Sequence, residues 1–339
     1  MQLPAHRAEP AGLHAGAPRT RISPIARCVA LVQPEMVAAE AHLGTLLRST
    51  VPAVDEIAHY LSDAGGKRLR PLLTALAARA VGNERDVSRL MCAGEILHLG
   101  SLLHDDVVDD GQQRRGRAAA HRVYGNPAVI LTGDVCLARA VLIAGEEAGQ
   151  AATLEMARVV TAMSEGEVLQ LLHAGSLDLP LPTYLDIIDR KSAALISWCA
   201  AAGAWAIGAD REAHALQAFG RAVGVAFQIT DDVLDYTGSV EVMGKRAGKD
   251  LAERKLTLPL LLACEADAAL CARLTSAPPA AADIPALVQA VVATGGPARA
   301  LDHARARVAD GVRALDVLPD TPYRDALVEL ADHLVERVR

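Results

Sequence analysis

Two short acidic runs are the first places where this chain could do chemistry. Ser101-Leu102-Leu103-His104-Asp105-Asp106-Val107-Val108-Asp109-Asp110 sets four carboxylates within six positions, directly after apolar residues. Gln228-Ile229-Thr230-Asp231-Asp232-Val233-Leu234-Asp235 repeats the DDxxD spacing far along the chain. On a helix, Asp105 and Asp109 share a face, as do Asp231 and Asp235, and their repulsion costs helix stability unless a cation compensates. Mg2+ takes oxygen ligands, typically one or two carboxylates, and completes its shell with water and phosphate oxygens. A single such run is equally well explained by a solvated acidic face. Two runs, each embedded among apolar residues, point instead to Mg2+ and a diphosphate held between two helices.

Phosphate binding also needs donors. Gly65-Gly66-Lys67-Arg68-Leu69-Arg70-Pro71 offers three cations in a Gly-started turn running into a helix, a natural anion site. Gln112-Gln113-Arg114-Arg115-Gly116-Arg117 follows the first acidic run at short range. Lys191-Ser192, Gly244-Lys245, Lys249-Asp250 and Lys255 supply further donors. Taken singly, each is an ordinary surface charge. Their repeated placement beside the acids is what suggests a shared anion.

The elements that must carry these residues are helices. The chain has 339 residues, 51% hydrophobic and 22% charged, enough to bury a large core. Only 3% are aromatic, so the side chains that fill the core are aliphatic and small. Ala- and Leu-rich stretches with helical spacing run from about residue 35 onward, while alternating β-branched runs are scarce. Breaks at residues 65–66, 81–83, 125–127, 179–182, 208–210, 238–248, 277–285 and 295–297 divide the chain into about ten helices of ordinary to long length. The expectation is an all-α, single-domain bundle over residues 25–339, preceded by a disordered leader at 1–24.

A net charge of −7 gives no general pull toward nucleic acid or anionic lipid. Six Cys without metal-like spacing read as buried reduced thiols in a cytoplasmic protein. The longest apolar stretch, Ile196 to Ala209, is shorter than the ~20 residues a membrane-crossing helix needs, so no transmembrane segment is expected.

In combination, GGKRLRP (65–71), HLGSLLHDDVVDDGQQRRG (98–116), Gly133-Asp134, Lys191-Ser192, FQITDDVLDY (227–236), GKRAGKDL (244–251) and KLTLP (255–259) resemble the trans-isoprenyl diphosphate synthases, the polyprenyl synthetase family, in family order. The resemblance implies an all-α fold around a central apolar cavity, a homodimer, and prenyl transfer. An allylic diphosphate ionises, the double bond of isopentenyl diphosphate attacks the cation, and proton loss leaves a chain one isoprene unit longer. It implies that Asp105, Asp109 and Asp231 are the principal Mg2+ ligands, that Asp106, Asp232 and Asp235 bind or orient them, and that roughly three Mg2+ ions act with substrate. Lys67, Arg70, His98 and Arg115 match the isopentenyl diphosphate site. Arg114, Lys191, Ser192, Gln228 and Lys245 match the allylic diphosphate site, with Arg114, Lys191 and Lys245 acting on the leaving group. His104 is read as structural and Arg117 as exposed. Ser192 stands where Thr is common, Arg254 where Gly is common, and Lys249 where a small polar or acidic residue is usual.

Residues just before the first DDxxD line the elongation cavity in this family. Gly100 and Ser101 are small and leave it open, with Val135, Leu137, Val141 and Leu142 as candidates for the deeper wall. The expected product is long-chain, roughly seven to ten isoprene units by resemblance. The alternatives are a farnesyl- or geranylgeranyl-length synthase and a non-catalytic subunit of a heteromeric enzyme. A terpene cyclase is disfavoured by the second DDxxD, Lys67 and Arg70.

Overall fold

The computed structural model describes residues 23–175, 179–238, 247–276 and 279–336. Its centre is the helix Ala194–Trp205, buried along its whole length, as a helix apolar on every side must be. Around it, in chain order, come α1 (Pro24–Leu31), α2 (Gln33–Leu46), α3 (Pro52–Ser62), α4 (Leu69–Ala80) and α5 (Ser88–Val108). A two-stranded hairpin follows, β1 (Gln113–Arg114) with β2 (Arg117–Ala118), antiparallel. Next are α6 (Ala120–Tyr124), α7 (Asn126–Leu172), α8 (Leu181–Ile188), a π-helical turn at Asp189–Ala193, the central helix α9, and α10 (Asp210–Thr237). The chain closes with α11 (Lys249–Ala252), α12 (Leu258–Ala266), α13 (Ala268–Ser276), α14 (Ile284–Ala293), α15 (Gly296–Ala314) and α16 (Pro322–Glu336).

Proline marks where many of these helices begin. Pro24, Pro34, Pro52, Pro127, Pro182, Pro259, Pro285 and Pro297 each stand in a first turn, where the missing N–H has no intrahelical partner to lose. The first helix starts earlier than the apolar pattern suggests: Ser23 accepts a hydrogen bond from the Ala26 amide and caps α1. Ser23 and Pro24 are therefore part of the folded domain, and the rest of the expected leader lies outside the described residues.

The main core joins α1, α2, α4, α5, α7, α9, α10 and α16, with α5 laid against α7 and α10 against both α9 and α15. A smaller cluster of Tyr236, Leu251, Leu260 and the apolar faces of α13 and α14 supports the segment after α10. α7 bends at Gly149, whose φ of 75° breaks the helical backbone.

By length and composition α7 could cross a membrane, with mean hydropathy 1.8 over its most apolar window. That possibility was not apparent from the uninterrupted apolar runs, because Asp134, Arg139, Glu146 and Glu147 punctuate the helix. Its buried residues, among them Cys136, Ala140, Ile143 and Met156, belong to the main core. All six Cys are free; Cys28, Cys92, Cys136 and Cys199 are buried, whereas Cys264 and Cys271 are partly exposed.

Candidate active site

Both acidic runs fall at helix C-terminal ends. α5 stops at Val108, Asp109 is its cap, and Asp110 turns the chain with φ 49°. Asp231, Asp232 and Asp235 occupy the last two turns of α10. Unsatisfied carbonyls already make such ends negative, and neither helix has a basic residue in its last turn. The sequence therefore sets carboxylates where the backbone disfavours them, and a cation must come from elsewhere.

At the first motif, Arg114 of β1 donates from Nε to Asp106 Oδ1 at 2.7 Å. Asp106 is buried, and its Oδ2 has no hydrogen-bond partner. Burial, reinforced by Glu167 and Asp109 and opposed by Lys191, pushes the Asp105 carboxyl up to about 6. Asp109 is exposed at the rim.

Two glycines set the position of α5. A Cβ on Gly133 would lie 2.3 Å from His104 Nε2, so the glycine opens the seat for that ring. His104 Nε2 lies 3.0 Å from the Ile130 carbonyl oxygen and 3.3 Å from Asp134 Oδ1, consistent with its structural reading. Gly100 requires a correction. A Cβ there would meet Gly133 O and Cys136 Cβ, both at 2.9 Å. The room left by its missing side chain is filled by α7 and is not open to a growing product. Ser101 is half-buried one turn before Asp105 and donates to the His98 carbonyl at 2.9 Å. Leu142, expected in the deeper wall, is 59% exposed.

The second motif is held by a relay. Ser192, in the π turn, donates to Gln228 Oε1 at 2.8 Å, and Gln228 Nε2 donates to Asp232 Oδ1 at 2.9 Å. Tyr184 of α8 donates to Asp232 Oδ2 at 2.7 Å. The Lys255 ammonium stands 3.8 Å from both Asp232 and Asp250. Burial lowers the Lys255 pKa, but Asp232, Asp250 and Asp235 outweigh it and push it above the usual lysine range. Asp235 Oδ2 accepts the Asp250 amide at 2.8 Å. Asp232 has both oxygens engaged and suits a positioning role, while Asp231 is half-buried.

The π turn joins the two motifs. Its Lys191 pairs with Glu167 of α7 and acts on Asp105, while the adjacent Ser192 reaches α10. Such one-turn expansions often mark functional sites.

A second cationic cluster gathers beside the first motif. Burial first, then Arg70, Arg115 and Arg114, hold the His98 imidazole well below its usual pKa. Burial also lowers Arg115, as do Arg68, Arg114 and Arg70. Arg115 Nη1 donates to the Gly65 carbonyl, and Arg70 Nε is buried without a partner. Arg68 is engaged with Glu40 and Glu95. Lys67 is exposed in the same turn. This crowd of like charges with an unsatisfied buried donor calls for an anion.

Other basic residues are surface or scaffold groups. Arg117 is exposed, as expected; it lies over the Tyr60 ring, 5.7 Å from its centroid, and donates to the Tyr60 carbonyl. Lys249 pairs with Glu253. Lys245 lies outside the described residues. Glu167 and Tyr184 lie outside every sequence motif. A Glu or Tyr inside an apolar helical stretch gives no local sign of which distant lysine or aspartate it meets.

The fit to a divalent metal rests on the donors. They are hard carboxylate oxygens at two negative helix ends, one of them, Asp106 Oδ2, buried without a donor. Among the described residues no three acidic, His or Cys side chains close around one point. That suits an ion that takes much of its shell from water and phosphate.

The family model for polyprenyl synthetase matches residues 51–291, spanning both motifs and the basic turns. The chain belongs to the polyprenyl synthetase family. It is a trans-prenyltransferase of that family, whose members use a divalent metal. The octaprenyl diphosphate synthase of Haemophilus influenzae is 37% identical over 314 residues, covering 91% of this chain and 95% of the relative. A polyprenyl synthase from Caulobacter crescentus CB15, solved with calcium and isoprenyl diphosphate, superposes with a TM-score of 0.88 at 37% identity, covering 94% of this chain and 99% of that one. A decaprenyl diphosphate synthase from Rhodobacter capsulatus gives a TM-score of 0.85 at 36% identity, covering 93% and 99%. These likenesses carry the all-α family fold across nearly the whole chain.

Proposed function

We propose that this polyprenyl synthetase condenses isopentenyl diphosphate with an allylic diphosphate to make an all-trans chain of roughly seven to ten isoprene units, within an apolar interior that holds the growing tail. The observation carrying this reading is the π turn, where Lys191 pairs with Glu167 of α7 and acts electrostatically on Asp105, and Ser192 joins the relay to Asp232. One diphosphate can then be held by both motifs. Long product length is supported by the octaprenyl and decaprenyl relatives and by the small side chain of Ser101.

In this reading Asp105, Asp109 and Asp231 hold Mg2+, roughly three ions with substrate bound, while Asp106, Asp232 and Asp235 orient the binding groups. Mg2+ supplies charge that stabilises the departing diphosphate. Lys191, Arg114 and Lys245 donate to the allylic diphosphate as its C–O bond breaks and the electron pair leaves with oxygen. Arg70, His98, Arg115 and Lys67 hold the isopentenyl diphosphate, so that its double bond meets the cation. The surrounding aliphatic side chains exclude water that would capture that cation. We assign the enzyme to the cytoplasm as a homodimer. The subunit contact is supported by the exposed Leu131, Leu142 and Leu154 on α7. We assign the catalytic domain to residues 25–339, extended at its start by the Ser23 cap and Pro24 of α1.

The test is metal-dependent elongation. Purified protein with labelled isopentenyl diphosphate and geranyl, farnesyl or geranylgeranyl diphosphate should elongate a primer with Mg2+ and stop with EDTA. Failure to elongate any of the three would refute the reading.

A further inference from the structure

Arg254 adopts φ 54°, a left-handed backbone that residues other than Gly rarely take. The position is the residue just after Glu253, the C-terminal cap of α11. The Arg254 amide bonds the Leu251 carbonyl at 3.2 Å, and the Lys255 amide bonds the Asp250 carbonyl at 2.8 Å. This two-bond cap favours glycine at the place Arg254 fills. A strained residue persists where its surroundings over-determine it.

Here the surroundings come from another part of the chain. Arg254 Nη2 donates to the Gly175 carbonyl at 2.9 Å. Gly175 has φ 79°, and a Cβ on it would stand 3.3 Å from Arg254 Cζ, so the guanidinium lies against bare backbone. Gly175 ends the turn that leaves α7, whose last turns carry Glu167, the partner of Lys191. The next residue after Arg254 is Lys255, which faces Asp232 and Asp250. One side chain therefore ties the segment leaving the Lys191 side of the site to the cap that aims Lys255 at the second acidic motif.

We propose that Arg254 is a positioning residue: a strap that holds turn 173–175 against 253–257 and so fixes the Lys191 and Lys255 sides of the site for an allylic diphosphate. The proposal rests on the assignment of that diphosphate to Lys191 and Ser192. Arg254→Gly keeps the left-handed cap without steric cost and removes the guanidinium, while Arg254→Lys retains a charged donor. In the substrate-free full chain, amide exchange at residues 173–175 should be about tenfold faster in Arg254→Gly, the equivalent of one charge-assisted hydrogen bond. Arg254→Lys should restore part of the protection. The melting temperature of Arg254→Gly should match or exceed that of the parent protein. KM for the allylic diphosphate should rise about tenfold with kcat within about twofold. Unchanged exchange would overturn the strap itself. Faster exchange with an unchanged KM would overturn its service to the diphosphate site. An allylic KM left unchanged by Lys191→Ala would overturn the underlying assignment, separately from the exchange result.

Discussion

Tyr184 donates its hydroxyl hydrogen to Asp232 Oδ2 at 2.7 Å, and Asp232 is only 2% exposed. With Gln228 on the other oxygen, this aspartate is held in place from both sides. Tyr184→Phe leaves a buried carboxylate oxygen without its donor. It should cost about 1.5–3 kcal/mol in urea-denaturation stability, the range for hydrogen bonds to charged groups. Equal stability of variant and parent would contradict the positioning role of Tyr184.

Asp105 sits near a helix C-terminus with its carboxyl raised to about 6, chiefly by burial. For an acid raised on folding, the native state is favoured below the unfolded pKa and loses that advantage as pH rises through the folded value. In EDTA, Asp105→Asn should therefore stabilise the protein by about 1–2 kcal/mol above pH 6, allowing for solvent screening, and by nothing below about pH 4. The same variant should lose Mg2+-dependent elongation. Denaturation curves across that pH range give the check, and a gain independent of pH would contradict it.

The seat of His104 against Gly133 makes a steric prediction. Gly133→Ala puts a methyl group into the imidazole and should cost about 1–3 kcal/mol, as overpacking does. His104→Ala in the same chain should recover much of that loss. A double-mutant cycle measures the coupling, and simple additivity of the two changes would refute the contact.

Ser101 and Gly100, adjacent and both small, should respond differently. Ser101→Phe should shorten the product while the protein stays folded and active. Gly100→Ala should act on stability, by about 1–3 kcal/mol, because its methyl group meets the α7 backbone. Full-length product from Ser101→Phe would place the elongation path elsewhere.

The all-α architecture was readable because apolar spacing and the proline and glycine punctuation agree over most of the chain. The candidate donors were readable too, because the DDxxD runs and the arginine turns are contiguous in sequence. What sequence concealed was contact at long range. Nothing near Tyr184 or Glu167 shows that they meet Asp232 and Lys191 across 48 and 24 residues of chain. Gly100 misled for a related reason: a missing side chain leaves space only on the side its Cβ would have faced, and here that side is α7. The kink at Gly149 was hidden because a single glycine within a long helical pattern is usually tolerated.

The most direct test is the length of the product. Purified protein, Mg2+, labelled isopentenyl diphosphate and an allylic primer should yield, after dephosphorylation, polyprenols of roughly seven to ten isoprene units. A distribution ending at about four units or fewer would contradict the open elongation path that the small residue Ser101 is argued to provide.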